Sequence, residues 1–155
     1  YDSFLKINRI MDKIDYNPKI NFMAGTIYYK MNNFDLAESL LHESYFNISN
    51  IINKKGDLLN IEDEQDKELI MIMMQVSNNL GATFQKKYEK TKNTGYLVRA
   101  NKYYSDSILR YVELYGTETK AKENPQLNLR MVLFPYSGVE DPYIYDRFPD
   151  NYLNM

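Results

Sequence analysis

Of the five prolines in the chain, four fall in its last 39 residues, at Pro125, Pro135, Pro142 and Pro149, and the fifth is Pro18. A proline inside a helix removes a backbone hydrogen bond and clashes with the preceding turn. Long helices are therefore open to the stretch between Pro18 and Gly116 and closed to the tail. Pro18 itself is no obstacle, because it follows Asn17, a good capping residue, and proline is tolerated in a helix's first turn. The chain divides into a helical domain over 1–116 and an irregular extension over 117–155.

Apolar residues within 1–116 recur at the i, i+3, i+4, i+7 spacing of amphipathic helices. Phe4, Ile7, Ile10, Met11 and Ile14 predict a helix over 2–15, and Phe22, Met23, Ile27, Tyr28 and Met31 one over 19–31. Asn32 and Asn33 make a tight turn. Leu36, Ala37, Leu40, Leu41, Tyr45 and Ile48 then form the stripe of a helix over 34–53, which Gly56 stops. An acidic loop over 57–66 leads to a helix over 66–90 with Ile70, Met73, Met74, Ser77, Leu80, Gly81 and Phe84 on one face. The fifth helix, 96–115, buries Leu97, Ala100, Tyr104, Ile108, Tyr111, Val112 and Tyr115. The fold class is all-α, with about five helices.

The tail differs in kind. Leu127, Leu129, Met131 and Leu133 alternate, which predicts a short strand over 126–134. Its Tyr, Phe and Leu content is too high for disorder to be the default. The tail is expected to pack on the helices, to pair with a further part of the protein, or to await a partner.

Two segments share a pattern. The first is Ala24-Gly25, Tyr28, Phe34, Ala37, Leu41, Ser44; the second is Leu80-Gly81, Phe84, Ala100, Tyr104, Ser107. Small residues stand where two antiparallel helices would touch and large ones where a knob would fill the next hairpin. The pattern resembles the tetratricopeptide (TPR) repeat, a helix pair of about 34 residues. The first repeat, about 18–51, has the family spacing of 12 residues from Gly25 to Ala37; the second, about 74–115, has 19 from Gly81 to Ala100. The excess of seven is close to two helical turns, so one turn added to each helix would keep the faces aligned. A helical bundle of another type is the competing expectation.

The resemblance implies a groove lined by the first helix of each repeat. Carried over by position, its partner-binding residues are Lys19, Phe22, Thr26, Tyr29 and Lys30 from the first repeat, and Gln75, Asn78, Asn79, Ala82, Gln85 and Lys86 from the second. Asn79 resembles the asparagine with which family members hold a ligand backbone, a task suited to an amide that both donates and accepts. Phe22 and Thr26 stand where the family's carboxylate clamp would place Lys and Asn, so recognition of a terminal carboxylate is not expected. A groove of aromatics, lysines and amides suits a peptide with apolar anchors and some acidic character.

Composition excludes other classes. A net charge of −2 gives no global attraction to nucleic acid or an anionic membrane, and no run approaches the ~20 apolar residues of a membrane span. Without cysteine there is no disulfide or thiolate site, and cytoplasm and periplasm or cell envelope fit equally. The excess of Lys, Asn and Ile is what AT-rich coding produces, and a bacterial source is expected. A start at Tyr1 implies that the native N-terminus, with any address or anchor, is missing. His42, the single histidine, reads as a packing residue rather than a base. Glu62, Asp63, Glu64 and Asp66 lack the glycine and spaced ligands of a calcium loop and are expected to cap the next helix. Asp141, Asp146 and Asp150 are not paired into an acid–base site, and there is no phosphate loop or nucleophile elbow. The cluster Lys86, Lys87, Tyr88, Lys90 and Lys92 reads as a solvated helix end. The expected function is a non-catalytic module that binds a protein or peptide, with no cofactor or metal. The alternative is a regulatory or dimerising domain of a larger enzyme, and a second copy of the chain is a further candidate partner.

Overall fold

A computed structural model describes residues 18–116, 128–129 and 141–148. The predicted helix 2–15 lies outside the described residues, as does most of the tail. What is described is all-α: α1 (Pro18–Lys30), α2 (Phe34–Lys55), α3 (Glu64–Thr91) and α4 (Thr94–Tyr115), with a 3-10 turn over Gly56–Leu58. Of the predicted strand over 126–134, the two described residues, Asn128 and Leu129, have helical backbone.

Short polar side chains start the helices. Asn33 Oδ1 accepts from the Leu36 amide, Asp63 from those of Gln65 and Asp66, and Asn93 from that of Gly95. Each satisfies an N–H that the first turn leaves unpaired. The acidic stretch thus caps α3, and Asp66 also binds the Lys55 ammonium and the Asn60 amide, tying the end of α2 to the start of α3. Gly56 ends α2 with φ near +50°, a conformation costly for residues with a Cβ, and its N–H returns to the Ile52 carbonyl.

Residue pairing fixes the helix directions. Pro18 meets Ser44 and Tyr29 meets Phe34, so α1 and α2 are antiparallel. Met74 meets Ser107 and Phe84 meets Tyr96, so α3 and α4 are too. The hairpins stack with like helices running the same way: Thr26 of α1 bonds Asn79 of α3, while Lys19 pairs with Glu68 earlier on both helices. On the other side His42 of α2 meets Tyr103 of α4 and Tyr45 meets Asp106.

The hairpins are built on equivalent contacts. A Cβ at Gly25 would lie 2.7 Å from Leu41 Cγ, and one at Gly81 would lie 2.7 Å from Tyr104 Cδ1. Seven residues before each glycine, a backbone carbonyl accepts from a serine of the second helix: Ser44 Oγ to Pro18 at 2.9 Å and Ser107 Oγ to Met74 at 2.7 Å. Ala37 and Ala100 are both fully buried. The seven extra residues of hairpin two enter both helices. Ten residues follow Gly81 in α3 against five after Gly25 in α1, six precede Ala100 in α4 against three before Ala37 in α2, and the turn is one shorter. Because the growth lies at the turn end, the glycine, alanine and serine contacts stay in register.

The core includes Phe22, Leu41, Ile48, Val76, Leu80 and Tyr104; among the described tail residues Tyr145 joins it, and Leu129, Tyr143, Ile144 and Phe148 pack against it.

Candidate peptide-binding groove

Residues 141–148 carry no helix, and they lie against α1 and α3. Both N–H and C=O of Tyr143 and of Tyr145, two residues apart, point to side-chain amides. Alternate residues turning the same edge to one side is the geometry of an extended chain.

Asn79 holds that chain by its backbone. Its Oδ1 accepts from the Tyr145 N–H at 2.8 Å and its Nδ2 donates to the Tyr145 carbonyl at 2.9 Å. The second Nδ2 hydrogen goes to Thr26 Oγ1 at 3.0 Å, and Oδ1 also accepts from Asn78 Nδ2 at 3.3 Å. Thr26 in turn donates to the Phe22 carbonyl. The amide's hydrogen-bonding capacity is filled, as a group 1% exposed requires. Tyr143 is held likewise: its carbonyl accepts from Asn78 Nδ2 at 2.9 Å and Asn128 Nδ2 at 2.7 Å, while its N–H donates to Asn128 Oδ1 at 2.8 Å. Asn128 Nδ2 also donates to Asn78 Oδ1, which closes the network. Leaving one such buried donor or acceptor unpaired costs about 1–3 kcal/mol, so the three asparagines and the segment specify one another.

Side chains add a second layer. Lys30 of α1 pairs with Asp146 at 2.9 Å, and Lys86 of α3 pairs with Asp141 and, at 3.4 Å, with Glu89. Burial pulls the Lys86 ammonium down, but its hydrogen bond to Asp141 and the charges of Glu89 and Asp141 outweigh it and hold its pKa above the ordinary lysine value. Phe148 packs edge-to-face on the fully buried Phe22, ring centroids 5.4 Å apart, and Tyr143 and Tyr145 pack edge-to-face on each other at 5.2 Å.

Of the eleven residues expected in the groove, Phe22, Lys30, Asn78, Asn79 and Lys86 contact the segment, and Thr26 braces Asn79. The remaining five make the following contacts among the described residues. Lys19 pairs with Glu68 across the two hairpins. Tyr29 is buried edge-to-face on Phe34 inside hairpin one, and burial, with the charges of Asp141 and Glu89, pushes its phenol far above the ordinary range. Gln85 accepts from the Tyr104 hydroxyl at 2.8 Å inside hairpin two, Ala82 is wholly buried and Gln75 half-buried. Asn128 went unmarked by the sequence because it sits within a run that alternates like a strand.

Other candidates resolve into packing. His42 is part-buried with Nε2 3.0 Å from the Tyr103 hydroxyl, and burial foremost lowers its pKa. The basic cluster of α3 is largely engaged: Lys87 binds Asp35 and Glu38, Lys90 lies over the Phe34 ring and Lys92 over Tyr88.

Comparison with protein-family models, curated proteins and solved structures yields no match, so the functional reading rests on this geometry.

Proposed function

We propose that this chain is a non-catalytic interaction module of TPR-like helix hairpins that captures an extended polypeptide between its first and third described helices. The observation that carries the reading is the two-point hold of Asn79 on the N–H and C=O of Tyr145. An amide that engages both groups of one residue reads the main chain rather than a side chain, which suits recognition of an extended peptide. The equivalent glycine and serine contacts of the two hairpins and the like-to-like stacking of their helices support the repeat assignment. The hydrogen bonds that hold the segment come from side chains of α1, α3 and Asn128, not from the edge of a sheet.

The test titrates a labelled octapeptide copying residues 141–148 into a chain whose own segment is loosened by D141K/D146K, and into the same chain carrying Asn79→Ala. Saturable binding is expected for the first and at least tenfold weaker binding for the second, with helix content by circular dichroism unchanged. Equal binding would remove Asn79, and with it the groove, from the account.

A further inference from the structure

We infer that the groove selects extended peptides carrying two carboxylates five residues apart with aromatic residues between and after them, and that residues 141–148 are its built-in competitor. The inference rests on the reading of the groove as a peptide site and adds what the site selects and how it is kept closed.

Selectivity follows from two features that recur in register. Lys30 stands five residues after Gly25 and Lys86 five after Gly81, so the hairpins present a lysine at the same position. Each takes one carboxylate of the segment, Asp146 and Asp141 respectively. Between these charges the asparagines bond main-chain atoms of Tyr143 and Tyr145, which carry no sequence information. Discrimination is left to the lysines at the rim and to the aromatic floor at Phe22, which receives Phe148. An acidic, aromatic stretch of another protein meets the same donors; a basic one sets like charges against Lys30 and Lys86. Glu89, also beside Lys86, tempers that repulsion without replacing the acid.

Competition follows from the same contacts. The segment is covalently tethered, so its local concentration is on the order of millimolar, and a partner sees only the fraction of molecules whose groove is open. Its ionic anchors lie at the rim, the Asp141 carboxylate 81% exposed and that of Asp146 33%. Exposed pairs are individually weak and salt-sensitive, so charge reversal at these sites loosens the segment while leaving the helices intact.

The experiment uses the full chain throughout. Labelled octapeptide copying residues 141–148 should bind the D141K/D146K chain about tenfold or more tightly than the unmodified chain. The same peptide with both aspartates replaced by lysine should bind the D141K/D146K chain at least tenfold more weakly, and should recover on a K30E/K86E chain. Equal affinity for the opened and unmodified chains overturns the competition. Binding that depends on Asn79 but ignores peptide charge overturns the selectivity and leaves the groove reading standing. No binding to any form overturns both. If D141K/D146K does not fold, the amide resonances of Tyr143 and Tyr145 are followed in the labelled unmodified chain. They should move to unbound positions as unlabelled octapeptide rises through the millimolar range, and fixed resonances overturn the competition.

Discussion

The two hairpins share a scaffold and differ in the face they turn to the groove. In both, a glycine lets the second helix approach, an alanine is wholly buried and a serine hydroxyl ties the second helix to a carbonyl of the first. At the groove the same offset pairs Phe22 with Asn78, Met23 with Asn79 and Thr26 with Ala82, so hairpin one supplies an apolar floor and hairpin two supplies amides. Only the lysines, 30 and 86, are the same. Packing between helices tolerates little change because interiors are close-packed, while the groove face is free to specialise. Equivalent substitutions in the two hairpins are the way to separate these roles.

The largest effect is expected at the glycines. A valine at Gly81 meets the Tyr104 ring, and one at Gly25 meets the Leu41 side chain and, 3.1 Å away, the Leu41 backbone nitrogen; Tyr104 and Leu41 are both wholly buried. Overpacking costs about 1–3 kcal/mol. Gly81→Val and Gly25→Val should both sit toward the top of that range and lower the melting temperature by several degrees. A loss at one glycine several times that at the other would break the equivalence of the hairpin contacts.

A smaller effect is expected at the serines. Ser44→Ala and Ser107→Ala each remove one buried neutral hydrogen bond, worth about 1 kcal/mol. Denaturant unfolding should give the two variants similar losses, with midpoints shifted and slopes unchanged. A several-fold disparity would show that the hairpins are not built alike.

The smallest is a pH effect that only hairpin one has. Burial, with the charges of Lys102 and Arg99, lowers the folded-state pKa of His42 below its ordinary value of 6.5, against the opposing charge of Glu38. The unfolded chain then binds the proton more readily, so stability is full above pH 6.5 and falls as pH drops from there through the folded-state pKa. His42→Phe should flatten that part of the profile. The carboxylates held low, Asp35 by Lys87 and Asp66 by Lys55 and the Asn60 amide, act only at lower pH, where they titrate.

How much was legible in the sequence follows from the range of each signal. Helical period and capping residues act within a few positions, so the helices expected over 19–31, 34–53, 66–90 and 96–115 lie within a few residues of those observed. The small residues at 25, 37, 81 and 100 marked the hairpin contacts because close approach excludes anything larger. Asn79 stood out through its resemblance to the family's ligand-holding asparagine and because an amide can both donate to and accept from a backbone. The identity of that partner was not legible: Tyr145 lies 66 residues away, and nothing in the tail's local pattern reports the pairing. How deeply Tyr29, Ala82 and Gln85 are buried was not legible either, since it depends on what packs over them.

The central claim is that Asn79 holds the backbone of Tyr145, and amide hydrogen exchange of the full chain reads it most directly. The account predicts that the Tyr145 amide is protected well above the rate of an unstructured chain, and that Asn79→Ala raises its exchange about tenfold or more while α2 and α4 keep their protection. A Tyr145 amide exchanging at the unstructured rate in the unmodified chain, or one indifferent to the loss of Asn79, would contradict it.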